Sequence, residues 1–145
     1  MQLRTLILPI VAALLLTACT TTKEAYLEDG YRLLSGEEIT TLVWGKTVEG
    51  QYGSGAGDFV EYYSPEGRIS TREPSTQVYI GTWHVDDNRL CFVYPGGTGA
   101  FPKCVEIAEK DGQYVQFRTA GPAYGKFGAK LTSVTPGNPK NLPLE

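Results

Sequence analysis

Residues 79–94, YIGTWHVDDNRLCFVY, decide the fold. Apolar and polar side chains alternate on both sides of Asp87-Asn88, a pattern typical of two strands joined by a two-residue turn. Such a turn places Trp83 opposite Phe92 on the inner face of an antiparallel hairpin. His84, the only histidine of the chain, then lies on the outer face.

The same pairing predicts a close approach near the open end of this hairpin. Gly81 faces Tyr94, whose ring needs the room that a residue without a side chain leaves. Tyr79, Gly81 and Trp83 then share the inner face of one strand, and Phe92 and Tyr94 share the inner face of the next. The hairpin therefore predicts an aromatic interior.

The cysteines predict the position of the following strand. If Cys91 lies opposite Cys104, then Arg89 lies opposite Glu106, and both pairs share the outer face. The chain has three cysteines, and the first is assigned below to a lipid, which leaves this pair for a disulfide in an oxidising compartment. A metal site is the alternative, but it lacks ligands because the chain has a single histidine.

A further hairpin extends the predicted sheet. We expect Lys110-Asp111-Gly112 to form a three-residue loop with a bulge at the glycine. Val105 then meets Phe117, and Ile107 meets Val115. This register predicts that Phe117 points into the interior.

The rest of the folded region predicts one helix and more strands. Ser35 and Glu38 form a capping box at the start of a short helix, and Gly45 ends it. Alternating runs between turn residues predict strands at 46–52, 58–63, 68–72, 77–85, 89–94, 102–108, 113–118 and 127–132. Short strands at this spacing predict a mainly β fold, an antiparallel meander of about seven or eight strands that forms a small barrel or sandwich.

Gly81-x-Trp83 resembles the Gly-x-Trp motif of lipocalin-like barrels. In those barrels the motif lies on the first strand, whereas here it lies in the middle of the chain. The resemblance implies a lipocalin-like barrel, and the alternative is a core tryptophan beside a glycine that makes room for a ring.

The N-terminal residues are typical of a signal peptide. An apolar run from Leu6 to Leu16 is too short for a comfortable membrane span and fits a signal peptide. It ends in Leu16-Thr17-Ala18-Cys19, which resembles the lipobox of bacterial prolipoproteins. The resemblance implies cleavage before Cys19, a diacylglyceryl group on its sulfur, and an acyl chain such as palmitate on the new amine. Several acyl chains anchor a protein stably where one would be marginal.

The residue after the cysteine bears on localisation. Thr20 is not Asp, and by resemblance to sorting in enterobacteria this favours the outer membrane, with the domain facing the periplasm. An ordinary secretory leader is the alternative to lipidation. The chain then divides into a signal peptide (1–18), a lipidated N-terminus and tether (19–29), a β-barrel-like domain (30–132) and a loose C-terminal tail (133–145).

Composition and motifs argue against several functions. A net charge of −3 leaves no basic surface for nucleic acid. Gly53-Ser-Gly-Ala-Gly57 lacks the lysine and helix of a phosphate-binding loop. His84 has no matching nucleophile, and Glu61, Glu66 and Glu73 show no spacing that predicts a glycosidase pair. We therefore expect a protein that is not an enzyme and that has no cofactor or metal.

A wider resemblance extends from Leu33 to Phe117. The motifs that carry it are Gly45-Lys-Thr-Val-x-Gly50, Tyr63-x-Pro65-x-Gly67, Gly81-Thr-Trp83, Leu90-Cys91 and a later Cys104. They are similar to those of a family of small secreted or lipid-anchored α-proteobacterial proteins that is defined only as a domain of unknown function. Most of these residues are glycines, turn residues and core residues, so the resemblance implies a fold and supplies no catalytic residues.

The aromatic side chains indicate where a ligand would bind. We expect a pocket formed by Tyr79, Trp83, Phe92, Tyr94 and Phe117. Our first hypothesis is a non-enzymatic binding module that is attached to the lipid bilayer through acylated Cys19 and binds a small apolar ligand, a glycan or a protein. The second is an inhibitor of an envelope-attacking enzyme such as lysozyme, with residues 95–100 as its protruding loop, and the third is a hydrolase.

Overall fold

The computed structural model describes residues 22–75, 77–95 and 103–145. The predicted leader, Cys19 and residues 96–100 of the predicted inhibitory loop lie outside the described residues. The elements in chain order are α1 (Lys23–Glu28), β1 (Arg32–Leu33), α2 (Gly36–Val43), β2 (Lys46–Tyr52), β3 (Asp58–Tyr63), β4 (Arg68–Arg72), β5 (Val78–Asp86), β6 (Arg89–Val93), β7 (Lys103–Lys110), β8 (Gln113–Arg118), a 3-10 turn (Gly121–Ala123) and β9 (Phe127–Pro136). No helix in this part of the chain is long and apolar enough to cross a bilayer.

Strands β2 to β9 form a closed antiparallel barrel. Each strand pairs with the next one along the chain, and β9 pairs with β2 to close the sheet. The short strand β1 pairs with β7 at Ala108 and Glu109, beyond the segment of β7 that pairs with β6. The predicted mainly β fold is confirmed as an eight-stranded, lipocalin-like barrel with one extra strand.

The register of the central hairpin is the predicted one. Trp83 pairs with Phe92, and His84 pairs with Cys91. The turn residue Asp87 has a φ of 52°, the left-handed conformation that tight two-residue hairpin turns require. On the next strand pair Cys91 lies opposite Cys104, and their sulfur atoms are bonded at 2.03 Å. The disulfide prediction is therefore confirmed.

The predicted close approach at Gly81 is also present. A side chain at this position would place its Cβ 2.0 Å from the Val93 carbonyl oxygen and 2.9 Å from a ring carbon of Tyr94. Only a glycine can occupy the position without moving the neighbouring strand.

The predicted register between β7 and β8 is wrong by one residue. Phe117 pairs with Glu106 and Val115 pairs with Ala108, because the turn consists of Asp111 and Gly112 alone. Both turn residues have positive φ angles, 52° and 77°, so the connection is a two-residue turn without the expected bulge. A slip of one residue exchanges the two faces of a strand. Phe117 consequently lies outside the barrel and not in the predicted pocket.

The segment predicted to be a tether is a helix packed on the barrel. Thr22 caps α1, and Tyr26 of this helix contacts Phe117 with ring centroids 5.3 Å apart. Lys23 Nζ lies 2.7 Å from the Glu106 carboxylate, so Glu106 pairs with α1 and not with Arg89 as predicted. The apolar outer face of β8 is covered because this helix packs on it.

The C-terminal residues are also bound to the barrel instead of forming a loose tail. Strand β9 continues to Pro136, and the following residues lie along the outer face. The Thr47 hydroxyl donates to the Gly137 carbonyl oxygen at 2.7 Å, and Arg68 donates to the Leu144 carbonyl oxygen at 3.0 Å. Leu142 is only 2% exposed.

The two ends of the barrel are closed differently. At one end, called the capped end here, helix α2 packs across the opening, and its side chains Ile39 and Val43 are buried. The two-residue turns before β6 and β8 also lie at this end. The opposite end, called the mouth, carries the described connections 53–57 and 119–126. It is the end to which Tyr79 and Tyr94 lie closest.

Candidate binding site at the barrel mouth

The interior near the mouth contains a carboxyl group where a barrel core is normally apolar. Phe59, Glu61 and Tyr63 alternate along β3 and all face inwards, because successive side chains of a strand point to opposite faces. Glu61 is 7% exposed. It accepts a hydrogen bond from the Tyr63 hydroxyl at 2.5 Å and one from the Thr71 hydroxyl at 3.4 Å.

More hydroxyl groups lie between Glu61 and solvent. The Tyr94 hydroxyl is hydrogen-bonded to the Thr71 hydroxyl. The Tyr52 hydroxyl donates to the Glu73 carboxylate at 2.8 Å, and Tyr79 meets Tyr94 edge-on with ring centroids 6.1 Å apart. We call the set formed by Tyr52, Glu61, Tyr63, Thr71, Glu73 and Tyr94 the mouth cluster. Its outer members are half-buried.

Burial dominates the electrostatics of the mouth cluster. It raises the pKa of Glu61 to about 7, against hydrogen bonds from Tyr63 and Thr71 that lower the pKa. The nearby Glu73 raises it further. Within the described residues no lysine, arginine or histidine forms an ion pair with Glu61. This carboxyl group therefore changes its protonation state close to neutral pH.

The tyrosines of the cluster stay protonated. Burial raises the pKa of Tyr52, Tyr63 and Tyr94 well above the usual value of 10.0, and the charge of Glu61 adds to the effect. Each therefore keeps a hydroxyl proton that it can donate. The arrangement offers a ligand a carboxyl group, hydroxyl donors and acceptors, and aromatic faces.

Towards the capped end the interior is filled by side chains. Trp83 is 8% exposed, and its indole N–H donates to the Ser64 carbonyl oxygen at 3.0 Å. The same core cluster contains the buried side chains Val48, Ile69, Leu90 and Ile107. The middle of the barrel is therefore occupied by these side chains.

A surface groove elsewhere is a weaker candidate. It has a volume of about 280 Å³ and lies outside the barrel, between β1, the start of α2 and Asn88. Its polar groups already bind one another, since Ser35 and Glu38 form the helix cap and Asn88 accepts from the Gly36 amide at 2.8 Å. Few groups remain free to bind a ligand there.

The predicted pocket is only partly assembled. Tyr79 and Tyr94 lie at the mouth, and Phe92 packs beside Tyr94 with ring centroids 5.8 Å apart. Trp83 belongs to the core, and Phe117 lies outside the barrel.

The titratable residues considered in the sequence analysis are also only partly brought together. His84 is exposed on the outer face and Glu66 is exposed in a turn at the capped end, whereas Glu61 and Glu73 both join the mouth cluster. The predicted pocket did not include Tyr52, Tyr63 or Thr71. The one available signal was a glutamate at an inward position of β3, between two aromatic residues of the same face.

No family model, no curated protein and no solved structure matches the chain. The α-proteobacterial family resemblance and the inhibitor hypothesis both stay predictions.

Proposed function

We propose that the chain is an envelope lipoprotein whose barrel is a non-enzymatic binding module with its site at the mouth. Acylated Cys19 holds the protein on a membrane, with the outer membrane favoured, and the barrel faces the periplasm. The lipobox-like sequence supports the anchor. A disulfide between the two remaining cysteines is compatible with an oxidising compartment.

The observation that carries the binding proposal is the buried carboxyl group of Glu61. Burying a carboxyl group without a cation is unfavourable, and an apolar side chain at this position would stabilise the barrel more. Groups with a strongly perturbed pKa are concentrated at functional sites. The position of Glu61 beneath half-buried tyrosines supports a role in binding.

The chemistry of the mouth cluster favours a ligand that forms hydrogen bonds. Hydroxyl and carboxyl groups beside tyrosine rings suit a glycan, because its hydroxyls need partners and its ring faces stack on aromatic side chains. A purely apolar molecule would form no hydrogen bonds with these groups. Hydrolysis is disfavoured because His84 is on the outer face and both cluster carboxyls are held by tyrosine hydroxyls.

The test uses the full acylated protein purified from envelopes. Native mass spectrometry detects retained ligands, and calorimetric titration with an N-acetylglucosamine oligosaccharide measures affinity. Glu61→Gln should weaken binding about tenfold, the expected loss when a hydrogen bond to a charged group is removed. The matched control is Glu66→Gln, which changes the same functional group at the capped end and should bind as the wild type does.

Two results would contradict the proposal, and they are separable. Equal affinity of the wild type and Glu61→Gln for every ligand that binds would contradict the mouth site. A mature protein whose Cys19 carries no lipid mass would contradict the anchor.

A further inference from the structure

The attachment of α1 fixes where a lipid anchor meets the barrel. Thr22 forms an antiparallel bridge with Lys126, and the Lys23 amide donates to the Gly125 carbonyl oxygen at 2.7 Å. Both partners belong to the connection between β8 and β9, residues 119–126, which we call the basal loop. The first described residues of the chain are therefore bound at the mouth end of the barrel.

The chain between the predicted lipid and this contact is very short. Only Thr20 and Thr21 separate Cys19 from Thr22. Because an extended chain spans at most about 3.6 Å per residue, Cys19 lies within about 11 Å of Thr22. A tether of this length cannot reach around the barrel, so the basal loop must lie near the surface of the anchoring bilayer.

The composition of the basal loop suits a lipid interface. Tyr124 is 60% exposed, the highest exposure among the large hydrophobic residues of the described chain that reach the surface. Tyrosine is favoured at the headgroup level because its ring is apolar and its hydroxyl is polar. Arg118, just before the loop, and Lys126, its last residue, are exposed and suit anionic headgroups.

Charge at the other end of the barrel is less suited to such a surface. Most of the exposed carboxylates of the described residues lie at or near the capped end, whereas Glu24 and Asp58 are exposed at the mouth end. The capped-end group is Glu28, Asp29, Glu37, Glu66, Asp86, Asp87 and Asp111. Exposed cations, among them Arg32 and Arg68, also lie at the capped end, but carboxylates outnumber them there. Anionic headgroups would repel this excess, in agreement with the position of the anchor.

We infer that the barrel sits on the anchoring bilayer through its basal loop, with Tyr124 at the headgroup level and the capped end directed into the periplasm. This inference rests on the proposed acylation of Cys19. It makes the partner of the basal loop the phospholipid surface itself. A ligand then reaches the mouth cluster along the membrane surface, which favours membrane-borne glycans over freely diffusing ones.

The experiment uses the full acylated protein in vesicles of phosphatidylethanolamine and phosphatidylglycerol that contain a brominated phospholipid, which quenches tryptophan close to the bilayer. The double variant Trp44→Phe/Tyr124→Trp places a reporter in the basal loop. The wild type is the matched control, because its exposed Trp44 follows α2 at the capped end. Trp44→Phe alone gives the background of buried Trp83.

Bromine should quench the reporter at position 124 and leave the emission of wild type and Trp44→Phe unchanged. A second variant with about ten glycine and serine residues inserted between Thr21 and Thr22 should keep most of this quenching, because the basal loop itself contacts the phospholipid although the linker spans roughly 16–19 Å. Loss of quenching in this variant would contradict that contact. Quenching of Trp44, or none at position 124 in protein that floats with the vesicles, would overturn the orientation. Protein that fails to float would overturn the proposed anchor itself.

Discussion

The capped end and the mouth of this barrel are built from the same strands, but their interiors carry different side chains. At the capped end, Ile39 and Val43 of α2 are 0% and 1% exposed and complete an apolar core. At the mouth, the same inward positions carry Glu61, Thr71 and tyrosine hydroxyls. One end is therefore closed by apolar packing, whereas the other holds a carboxyl group and hydroxyls in its interior.

The largest expected effect is at the capped end. Ile39→Ala removes a fully buried side chain and should lower the free energy of unfolding by about 2–5 kcal/mol. Chemical denaturation measures the loss, which should be the same at pH 5 and pH 8. Thr41→Ala, on the exposed face of the same helix, is the control and should change stability by less than about 0.5 kcal/mol. Equal losses for the two variants would show that α2 does not close the core.

The disulfide joins the neighbouring strands β6 and β7. Cys91 and Cys104 are 13 residues apart, and a link of this length restricts the unfolded chain by about 3 kcal/mol. The double variant Cys91→Ala/Cys104→Ala should lose about that much stability in denaturation experiments. Mass mapping of the exported wild type should show the two cysteines joined. Free thiols in that sample would contradict the disulfide.

Glu61→Gln should make the mouth more stable above neutral pH. Because the pKa rises from the ordinary 4.5 to about 7, the folded protein keeps a proton that the unfolded chain loses between these values. Stability from this group is therefore complete below about pH 4.5 and is lost as the pH rises through about 7.

At pH 8 the neutral glutamine should raise the free energy of unfolding by on the order of 2–3 kcal/mol, and near pH 4.5 by almost nothing. Denaturation of Glu61→Gln and of Glu66→Gln between pH 4.5 and pH 8 shows whether each substitution raises or lowers the free energy of unfolding. A Glu61→Gln variant that is less stable than wild type at pH 8 would rule out an uncompensated carboxylate at the mouth.

The smallest effect concerns the helix cap. Ser35 accepts from the Glu38 amide, and Glu38 accepts from the Ser35 amide at 2.8 Å. Ser35→Ala should cost about 1 kcal/mol, and Ser35→Asp, which can also cap, should restore most of it. Thermal or chemical denaturation measures both. No difference between the two variants would mean that the cap contributes little to closing this end.

The sequence predicted the fold better than it predicted the site. Alternation identifies a strand's inner face when the other face is in water, and this was so for the hairpin around Asp87-Asn88. On β8 the more apolar face, which carries Val115 and Phe117, points outwards because α1 covers it, and the inner face carries Tyr114 and Gln116. Alternation therefore favoured the wrong register, and the expected three-residue turn agreed with it.

The site was hidden for a related reason. A glutamate on a strand is usually exposed, so Glu61 was grouped with Glu66 and Glu73 and not assigned to the interior. Its inward position depends on long-range pairing with β2 and β4, which brings Val48 and Thr71 beside it. Tyr52 and Tyr94 join the cluster from strands far apart in the chain. No pattern within a short stretch of sequence shows that these residues lie together in the fold.

The most direct test of the contrast between the two ends is the pKa of the Glu61 carboxyl group, measured by carbon NMR during a pH titration and assigned with Glu61→Gln. A titration near pH 7 is the result expected for a buried carboxyl group without a cation. A pKa close to 4.5 for Glu61 would contradict it, because the carboxyl group would then be solvated or paired and the mouth would lose the feature that supports binding.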